Sequence, residues 1–224
     1  MQKPLLPLLG ALIFTINLHA QKPDCPVTLV ATASKMNVLY IGVDNPIQVG
    51  ATGIPADSLE VTISEGTIIK TGKGVYVARI STPGMAIITV TGKDKKYKTN
   101  FEFRAKRMPD PTPSLGTRNT RSDTLGVAAF KALSGIYMVM ENFDFDARCI
   151  TLEYKVTHIG ANESDGKMAV KSVKNLGGKF NPEAIEMVNQ AKSGDIFVFS
   201  EITAKCPEDV KDRKLNGMMF FIGD

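Results

Sequence analysis

The sequence contains no tryptophan, two histidines and three cysteines in 224 residues. Without tryptophan, and with only five tyrosines, it lacks the aromatic platform that a glycan-binding module would present. His19 lies in the N-terminal apolar segment, so only His158 remains for the rest of the chain, and a multi-histidine metal site is excluded. Neither zinc-type cysteine spacing nor a phosphate-loop signature occurs. We therefore predict no catalytic residues, no cofactor and no metal site.

Neither positive nor negative charge is in large excess. The formal net charge is +4, and removal of Lys3 with the first twenty residues leaves 26 basic against 23 acidic residues, a net charge of +3. A nucleic-acid-binding protein normally concentrates many more lysines and arginines on one face to neutralise phosphates. The composition therefore predicts no nucleic-acid partner.

The N-terminus has the features of a secretory signal peptide. Lys3 precedes an apolar stretch, residues 5–18, and Ala20 is the small residue that a signal peptidase requires. The stretch is shorter than the roughly 18 residues that span a bilayer, and Pro7 interrupts it. We predict a signal peptide at residues 1–20, a periplasmic mature protein with an extracellular or cell-surface location as the alternative, and no transmembrane segment after cleavage.

Export places the three cysteines in an oxidising compartment, where one disulfide and one free thiol are expected. Cys149 and Cys206 are the candidate pair. In the alternation of polar and apolar positions along the predicted strands, Cys149 falls at a polar position and Cys206 at an apolar one. The two side chains would then face different environments, which weakens that assignment. The pairing, with Cys25 as the third candidate, stays open.

Residues 25–107 are predicted to form an immunoglobulin-like β-sandwich domain, because short segments alternate apolar and polar residues between Gly- and Pro-containing turns. The segment "KYKTNFEFRAK" has the clearest alternation. This pattern predicts Tyr97, Phe101, Phe103 and Ala105 on the inner face of one strand.

A Pro-rich linker is predicted at residues 108–122. Three prolines, Pro109, Pro111 and Pro113, fall within five residues there. Proline lacks a backbone N–H and favours extended chain, which is typical of a semi-rigid spacer.

Residues 123–224 are predicted to form a β-rich domain with one covering helix. Long alternating or apolar segments surround a helix pattern that begins at Asn181 as N-cap, has Pro182 at its first position and stops at Gly194. Ile185 and Val188 are expected on its inner face. The fold class is therefore mainly β, with two tandem β domains.

Two polar motifs are candidate sites. Asp144 and Asp146 in "ENFDFDARC" alternate with Phe143 and Phe145, so the carboxylates would share one side of an extended segment. Such a pair can act as acid and base or bind calcium, but a strand entrance has the same pattern, and this structural interpretation is favoured.

The second motif, Asp44-Asn45-Pro46 in "YIGVDNP", is interpreted as a strand end held by local hydrogen bonds. Pro46 cannot donate to a ladder, and Asp44 and Asn45 are both side chains that bond to nearby backbone.

Three segments, "MNVLYIGVDNPIQV", "FRAKRMPDP" and "ENFDFDARC", resemble the C-terminal periplasmic domains of the GldM family of gliding motility and type IX secretion components. The motif positions are Asp44, Asn45, Pro46, Pro109, Asp110, Pro111, Phe143, Asp144, Phe145 and Asp146. The resemblance implies a non-catalytic β rod, a homodimer, and envelope partners among secretion or motility components. Because GldM proteins begin with a transmembrane helix and a helical bundle, and neither pattern occurs here, motor coupling is not expected.

We therefore expect a non-enzymatic, exported protein-protein interaction or scaffold module of the cell envelope. The rival hypotheses are a secreted glycan-acting hydrolase that uses Asp144 and Asp146, and a surface adhesin or glycan-binding protein.

Overall fold

The first seven strands form two facing sheets. A computed structural model describes residues 36–93, 95–116, 123–161 and 168–224; the predicted signal peptide lies outside these residues. The strands are β1 (Val38–Tyr40), β2 (Asn45–Gln48), β3 (Leu59–Ile63), β4 (Thr67–Gly72), β5 (Val75–Arg79), β6 (Gly84–Gly92) and β7 (Lys98–Lys106). One sheet has the order β1-β7-β6-β3 and the other β2-β5-β4. Leu39, Ala86 and Ala105 of the first sheet share a core with Ile47 of the second, which makes this part, the N-terminal sandwich, a four-on-three β-sandwich.

Register explains which end of the sandwich faces the rest of the chain. In the β6–β7 pair, Gly84 lies opposite Ala105 near the exit to the second half, and Thr91 lies opposite Lys98 at the far end. β1 is the one parallel member of its sheet, pairing Val38 with Arg104. The strands therefore run between a near end, where the chain leaves, and a far end made of turns.

The predicted inner face of β7 is wrong over its first half. Tyr97 and Phe101 are 59% and 47% exposed, whereas Phe103 is partly buried and Ala105 is buried. The shared core reaches Phe103 and Ala105 but not the earlier residues of the strand. Alternation along a strand identifies a face, but it does not show how far the opposite sheet extends over that face.

The second half is built around a six-stranded sheet, the C-terminal sheet. The elements of this half are β8 (Thr112–Leu115), β9 (Asp123–Gly126), α1 (Val127–Lys131), β10 (Ile136–Val139), β11 (Ile150–Ala161), β12 (Met168–Leu176), α2 (Pro182–Asn189), β13 (Ile196–Lys205), β14 (Arg213–Lys214) and β15 (Met218–Gly223). The strand order is β12-β11-β13-β15-β9, with β14 also paired to β13, and β8 and β10 form a separate antiparallel pair. The mainly β fold class is confirmed, with a short helix α1 in addition to the expected one.

α2 begins where its sequence predicts, and it packs one face against the sheet. The Asn181 Oδ1 accepts a hydrogen bond from the Ala184 N–H at 2.8 Å, and proline occupies the first turn, where its missing N–H costs nothing. Ala184 and Val188 join the core against the sheet. Ile185, which was expected inside, is 46% exposed, and Met187 takes the inward position instead.

Most of the described part of the predicted Pro-rich linker, residues 108–116, belongs to the packed structure. Thr112–Leu115 forms β8, which pairs with β10, and Pro111 and Pro113 are buried. Proline is tolerated at the margin of a two-stranded ladder because one side of each strand needs no donor. Residues 117–122 of the predicted linker lie outside the described residues.

Residues 33–224 form one compact unit. Among the residues described, neither helix has the length and apolar character needed to cross a membrane.

Candidate functional site

Three sequence motifs that are far apart along the chain meet where the N-terminal sandwich contacts the C-terminal sheet. We call this contact the junction. Its buried centre consists of Val43, Met108, Cys149 and Cys206. Partly buried side chains pack around that centre: Tyr40, Met138, Met140, Phe143, Phe145 and Ala147. The motifs that begin at Met36, Phe103 and Glu141 thus contribute to a single apolar cluster.

Aromatic contacts carry part of this packing. Tyr40 meets Phe143 edge to face with ring centroids 4.9 Å apart, and meets Phe145 at 5.1 Å in the same manner. The two phenylalanines are themselves 5.2 Å apart. Edge-to-face pairs of this kind contribute about 0.5–1.5 kcal/mol each beyond the area they bury. Phe143 and Phe145 are therefore packing residues that join the two halves.

Asn45 is a buried residue that closes the turn after β1. Its Oδ1 accepts a hydrogen bond from the Tyr40 N–H at 2.7 Å. Its Nδ2 donates toward the carbonyl oxygens of Tyr40, Val43 and Ala78 at 2.9, 3.1 and 3.2 Å. Because these backbone groups are removed from water, the amide side chain supplies partners that water would otherwise provide. Asn45 thereby holds Tyr40 and Val43 in place for the junction.

The neighbouring residues of that motif have different roles. The Asp44 carboxylate accepts a hydrogen bond from the Arg79 Nε, and this bond lowers the pKa of the Asp44 carboxyl from its usual value. Both side chains are exposed, so the ion pair is screened by water and salt. Pro46 lies in β2 opposite Val77 and is exposed.

Arg213 clamps the chain segment that connects the two halves. Its Nη1 donates to the carbonyl oxygens of Met108 and Pro109 at 3.0 and 2.8 Å, and to the Asp110 carboxylate at 3.1 Å. Its Nε and Nη2 form a bidentate pair with Asp209 at 2.7 and 2.9 Å. A planar guanidinium makes this fork geometry possible, whereas a lysine ammonium does not. The clamp fixes the second motif against the end of β13.

Asp209 is the anionic half of the clamp. Burial by itself would raise the pKa of the Asp209 carboxyl, but the hydrogen bonds from Arg213 and from the Cys206 N–H outweigh burial and hold the pKa below its usual value. The hydrogen bonds that Arg213 donates to Asp209 in turn raise the pKa of the Arg213 guanidinium. The buried pair is therefore fully ionised at neutral pH.

A glycine permits a close approach between the halves. Gly42 has a φ of +80°, and a Cβ at this position would lie 2.7 Å from the carbonyl oxygen of Pro207. Any side chain there would both strain the backbone and push the two halves apart.

Cys149 and Cys206 form a disulfide at the same place, closing a sequence separation of 57 residues. The Cys149 sulfur also lies 3.7 Å from the Met140 sulfur. Both cysteines are buried despite the polar strand parity of Cys149, because Cys149 precedes β11 and so does not follow its alternation. Cys25 lies outside the described residues.

A shallow depression of about 520 Å³ opens beside the junction. Asp44, Arg79, Asp146 and Glu208 line it, and Asp144 does not. The paired carboxylates of the hydrolase hypothesis therefore do not converge on this depression. Both aspartates are exposed on the side away from Phe143 and Phe145.

His158 is part of a largely buried hydrogen-bonded pair with Asp195. Its Nε2 lies 2.8 Å from the Asp195 Oδ2, its ring stacks on Phe197, and Asp195 also accepts from the Lys192 N–H at 2.9 Å. A Cβ on Gly160 would overlap the Asp195 carboxylate, at 2.3 Å. The residues described contain no group of three or more histidine, cysteine, aspartate or glutamate side chains placed to hold a metal. His158 is thus a satisfied packing residue.

Sequence reasoning did not identify the clamp or the close approach. Asp209 and Arg213 are four residues apart in a polar loop, a spacing that is common on any surface. Their partners Met108 and Pro109 are more than 100 residues earlier in the chain. No local pattern could have signalled these contacts.

Two family models together match nearly all of the described chain. The model described as the GldM third domain matches residues 28–106, and the one described as the GldM C-terminal domain matches residues 108–222. No curated protein sequence matches the chain. Among solved structures, fibronectin(III)-like modules of Clostridium thermocellum CbhA are similar at 10% identity over 84% of this chain and 89% of that chain. The TM-score of 0.25 is too low for that similarity to carry an argument.

Proposed function

The chain belongs to the GldM family, and from this premise we propose that it is a non-enzymatic, exported protein-protein interaction or scaffold module of the cell envelope. GldM C-terminal domains are envelope-associated periplasmic domains and structural components of the gliding and type IX secretion machinery. We further propose that residues 25–107 and 123–224 are its two β domains. Its partners are envelope proteins of the secretion or motility apparatus.

The observation that carries this proposal is the packed junction. All three motifs that resemble the family place side chains in it, and these side chains serve packing and backbone hydrogen bonding. The disulfide, the buried Arg213 clamp and the Gly42–Pro207 contact all restrict movement between the halves. A stiff tandem of β units suits a spacer or docking element, since binding then requires little additional ordering.

Site-specific crosslinking in intact cells tests the proposal. Phe221 is 47% exposed on the C-terminal sheet, so a photo-crosslinking residue placed there samples the surface without disturbing the core. Val210, which is also exposed, is the matched second position. We expect a discrete adduct with one envelope protein from at least one position, together with periplasmic fractionation of the mature chain. Recovery of the protein only as a free species in the medium, with no adduct, contradicts the proposal.

The hydrolase hypothesis is tested separately. Asp144→Asn and Asp146→Asn leave the junction aromatics in place, so the variants should fold like the parent chain. We expect the parent chain to show no glycan turnover that depends on Asp144 or Asp146. Neither variant should therefore differ from it in this assay. Activity lost in both amide variants with an unchanged melting temperature would establish catalysis and overturn the proposal.

A further inference from the structure

Lysines gather at the far end of the N-terminal sandwich, opposite the junction. Three turns meet there: a short 3-10 helix at Ala56–Ser58, the turn between β4 and β5, and the turn between β6 and β7. The Lys93 N–H donates to the Ser58 carbonyl oxygen at 2.9 Å, which ties the first turn to the third. The Lys70 ammonium lies 2.8 Å from the Asp57 carboxylate, which ties the second turn to the first.

We call this surface the lysine tip. It consists of six exposed lysines: Lys70, Lys73, Lys93, Lys95, Lys96 and Lys98. They are six of the nine basic residues between residues 36 and 106, so most of the basic charge of the sandwich lies at one end. The other three are Arg79, Arg104 and Lys106. The hydrogen bond from Lys70 lowers the pKa of the Asp57 carboxyl, and the charges of Lys73 and Lys93 act in the same direction.

Acidic residues do not neutralise the tip. Asp57 and Glu60, which lies opposite Thr91, are its described acidic side chains. Asp94, which the sequence places in the third turn, lies outside the described residues. Counting all three acids against the six lysines leaves an excess of three positive charges at this end. This equals the net charge of +3 that the whole mature chain is expected to carry, so the rest of that sequence has no net charge.

Exposed apolar side chains accompany the lysines. Tyr97 lies between Lys96 and Lys98 and is 59% exposed, and Val75 follows the second turn at 36% exposure. A tyrosine flanked by lysines is the arrangement that inserts its ring at headgroup depth while the ammonium groups contact phosphates. A soluble polyanion, such as an acidic polysaccharide, would bind the lysines but gives no role to the tyrosine.

We propose that the lysine tip docks the protein on the phosphate-bearing surface of an anionic phospholipid membrane. Lysines within a Debye length of such a surface gain favourable electrostatic energy, and the apolar side chains add burial at the interface. The opposite end of the molecule, with the junction and the C-terminal sheet, then points away from the membrane. This inference concerns lipid contact alone and stands independently of which protein partner the module has.

Co-sedimentation of the chain from Gln21 to Asp224 with vesicles tests the proposal. Vesicles of phosphatidylglycerol mixed with phosphatidylcholine should bind the protein, and vesicles of phosphatidylcholine alone should not. The triple variant Lys93→Gln, Lys95→Gln, Lys98→Gln should lower the partition coefficient by about 100-fold, because each lysine near an anionic surface contributes about fivefold. The matched control Lys131→Gln, Lys171→Gln, Lys211→Gln removes the same charge from α1, from β12 and from the segment between β13 and β14, and should bind like the parent chain.

Two further results distinguish a membrane from other anionic ligands. Tyr97→Ser should weaken vesicle binding while leaving the melting temperature unchanged, and inorganic phosphate should compete no better than chloride at equal ionic strength. An equal loss in the two triple variants would overturn the proposal, because net charge alone would then explain binding. Binding to dextran sulfate as tight as to vesicles, with no effect of Tyr97→Ser, would overturn it in favour of a soluble polyanion. Absence of binding to anionic vesicles would also overturn it.

Discussion

Gly42 in the N-terminal sandwich and Pro207 at the end of β13 are in backbone contact, so close that a Cβ on Gly42 would lie 2.7 Å from the Pro207 carbonyl oxygen. This contact between residues 165 positions apart lies beside the disulfide and the aromatic cluster. The two halves are therefore joined by a packed interface as well as by the connecting chain.

Gly42→Ala should destabilise the protein through two effects, a positive φ and the overlap with Pro207. Gly53→Ala is the control for the first effect, because Gly53 has a φ of +77° with no atom within 4 Å of its would-be Cβ. We expect Gly53→Ala to cost about 1 kcal/mol of unfolding free energy and Gly42→Ala clearly more. Urea denaturation measures both. Equal costs would show that the Pro207 contact carries no energy.

Asn45→Asp should destabilise the chain, since a carboxylate would face the carbonyl oxygens of Tyr40 and Val43 and could not donate to either. Leaving such buried groups unsatisfied costs about 1–3 kcal/mol each. Asp44→Asn is the matched control at the adjacent exposed position, and its melting temperature should stay close to that of the parent chain. A parent-like melting temperature for Asn45→Asp would show that the Asn45 side chain does not stabilise the junction.

Arg213→Gln should lower the unfolding free energy by about 3–5 kcal/mol, because it leaves the buried Asp209 carboxylate without its cationic partner. Arg79→Gln breaks an exposed ion pair of the same chemical type and should have no measurable effect on stability. Thermal unfolding followed by circular dichroism compares the two. Limited proteolysis at 107–111 adds a local measurement, since loss of the clamp should expose this segment.

Acid should selectively weaken the clamp. The folded-state pKa of Asp209 is lowered from 3.8, so its contribution to stability is fully present above that value and is lost as pH falls through the folded pKa. The stability difference between the parent chain and Asp209→Asn should therefore be constant above about pH 5 and shrink below about pH 4. Chemical denaturation at several pH values measures this difference. A difference that grew on acidification would contradict the assigned pKa direction.

Removal of the disulfide should lower stability without abolishing the fold. For a closed loop of 57 residues, the chain-entropy model gives about 4 kcal/mol. Cys149→Ala with Cys206→Ala should show that loss under urea, whereas Cys25→Ser should leave the midpoint unchanged. Intact mass under non-reducing conditions checks the bond directly. A bridge from Cys25 to either other cysteine would refute the pairing.

Local patterns predicted the elements well where one face of a strand or one turn decides the outcome. Asn181 and Pro182 specify the start of α2 by local chemistry, and the alternation of Phe143 and Phe145 with the aspartates correctly separates a packing side from an exposed side. The same reasoning failed at Tyr97, because the sequence of one strand does not determine how far the opposite sheet extends over it.

The sequence by itself determined the mainly β class, the start of the covering helix and the likeness of three motifs to GldM domains, since each depends on neighbouring residues. Only the tertiary structure showed that these motifs meet at one junction, that Arg213 reaches back to Met108, and that Lys70 and Lys73 lie at the same end as the four lysines of the β6–β7 turn. Contacts such as those of Arg213 with Met108, 105 positions apart, and of Gly42 with Pro207, 165 apart, depend on how the sheets pair and pack. No pattern confined to a single element carries that information.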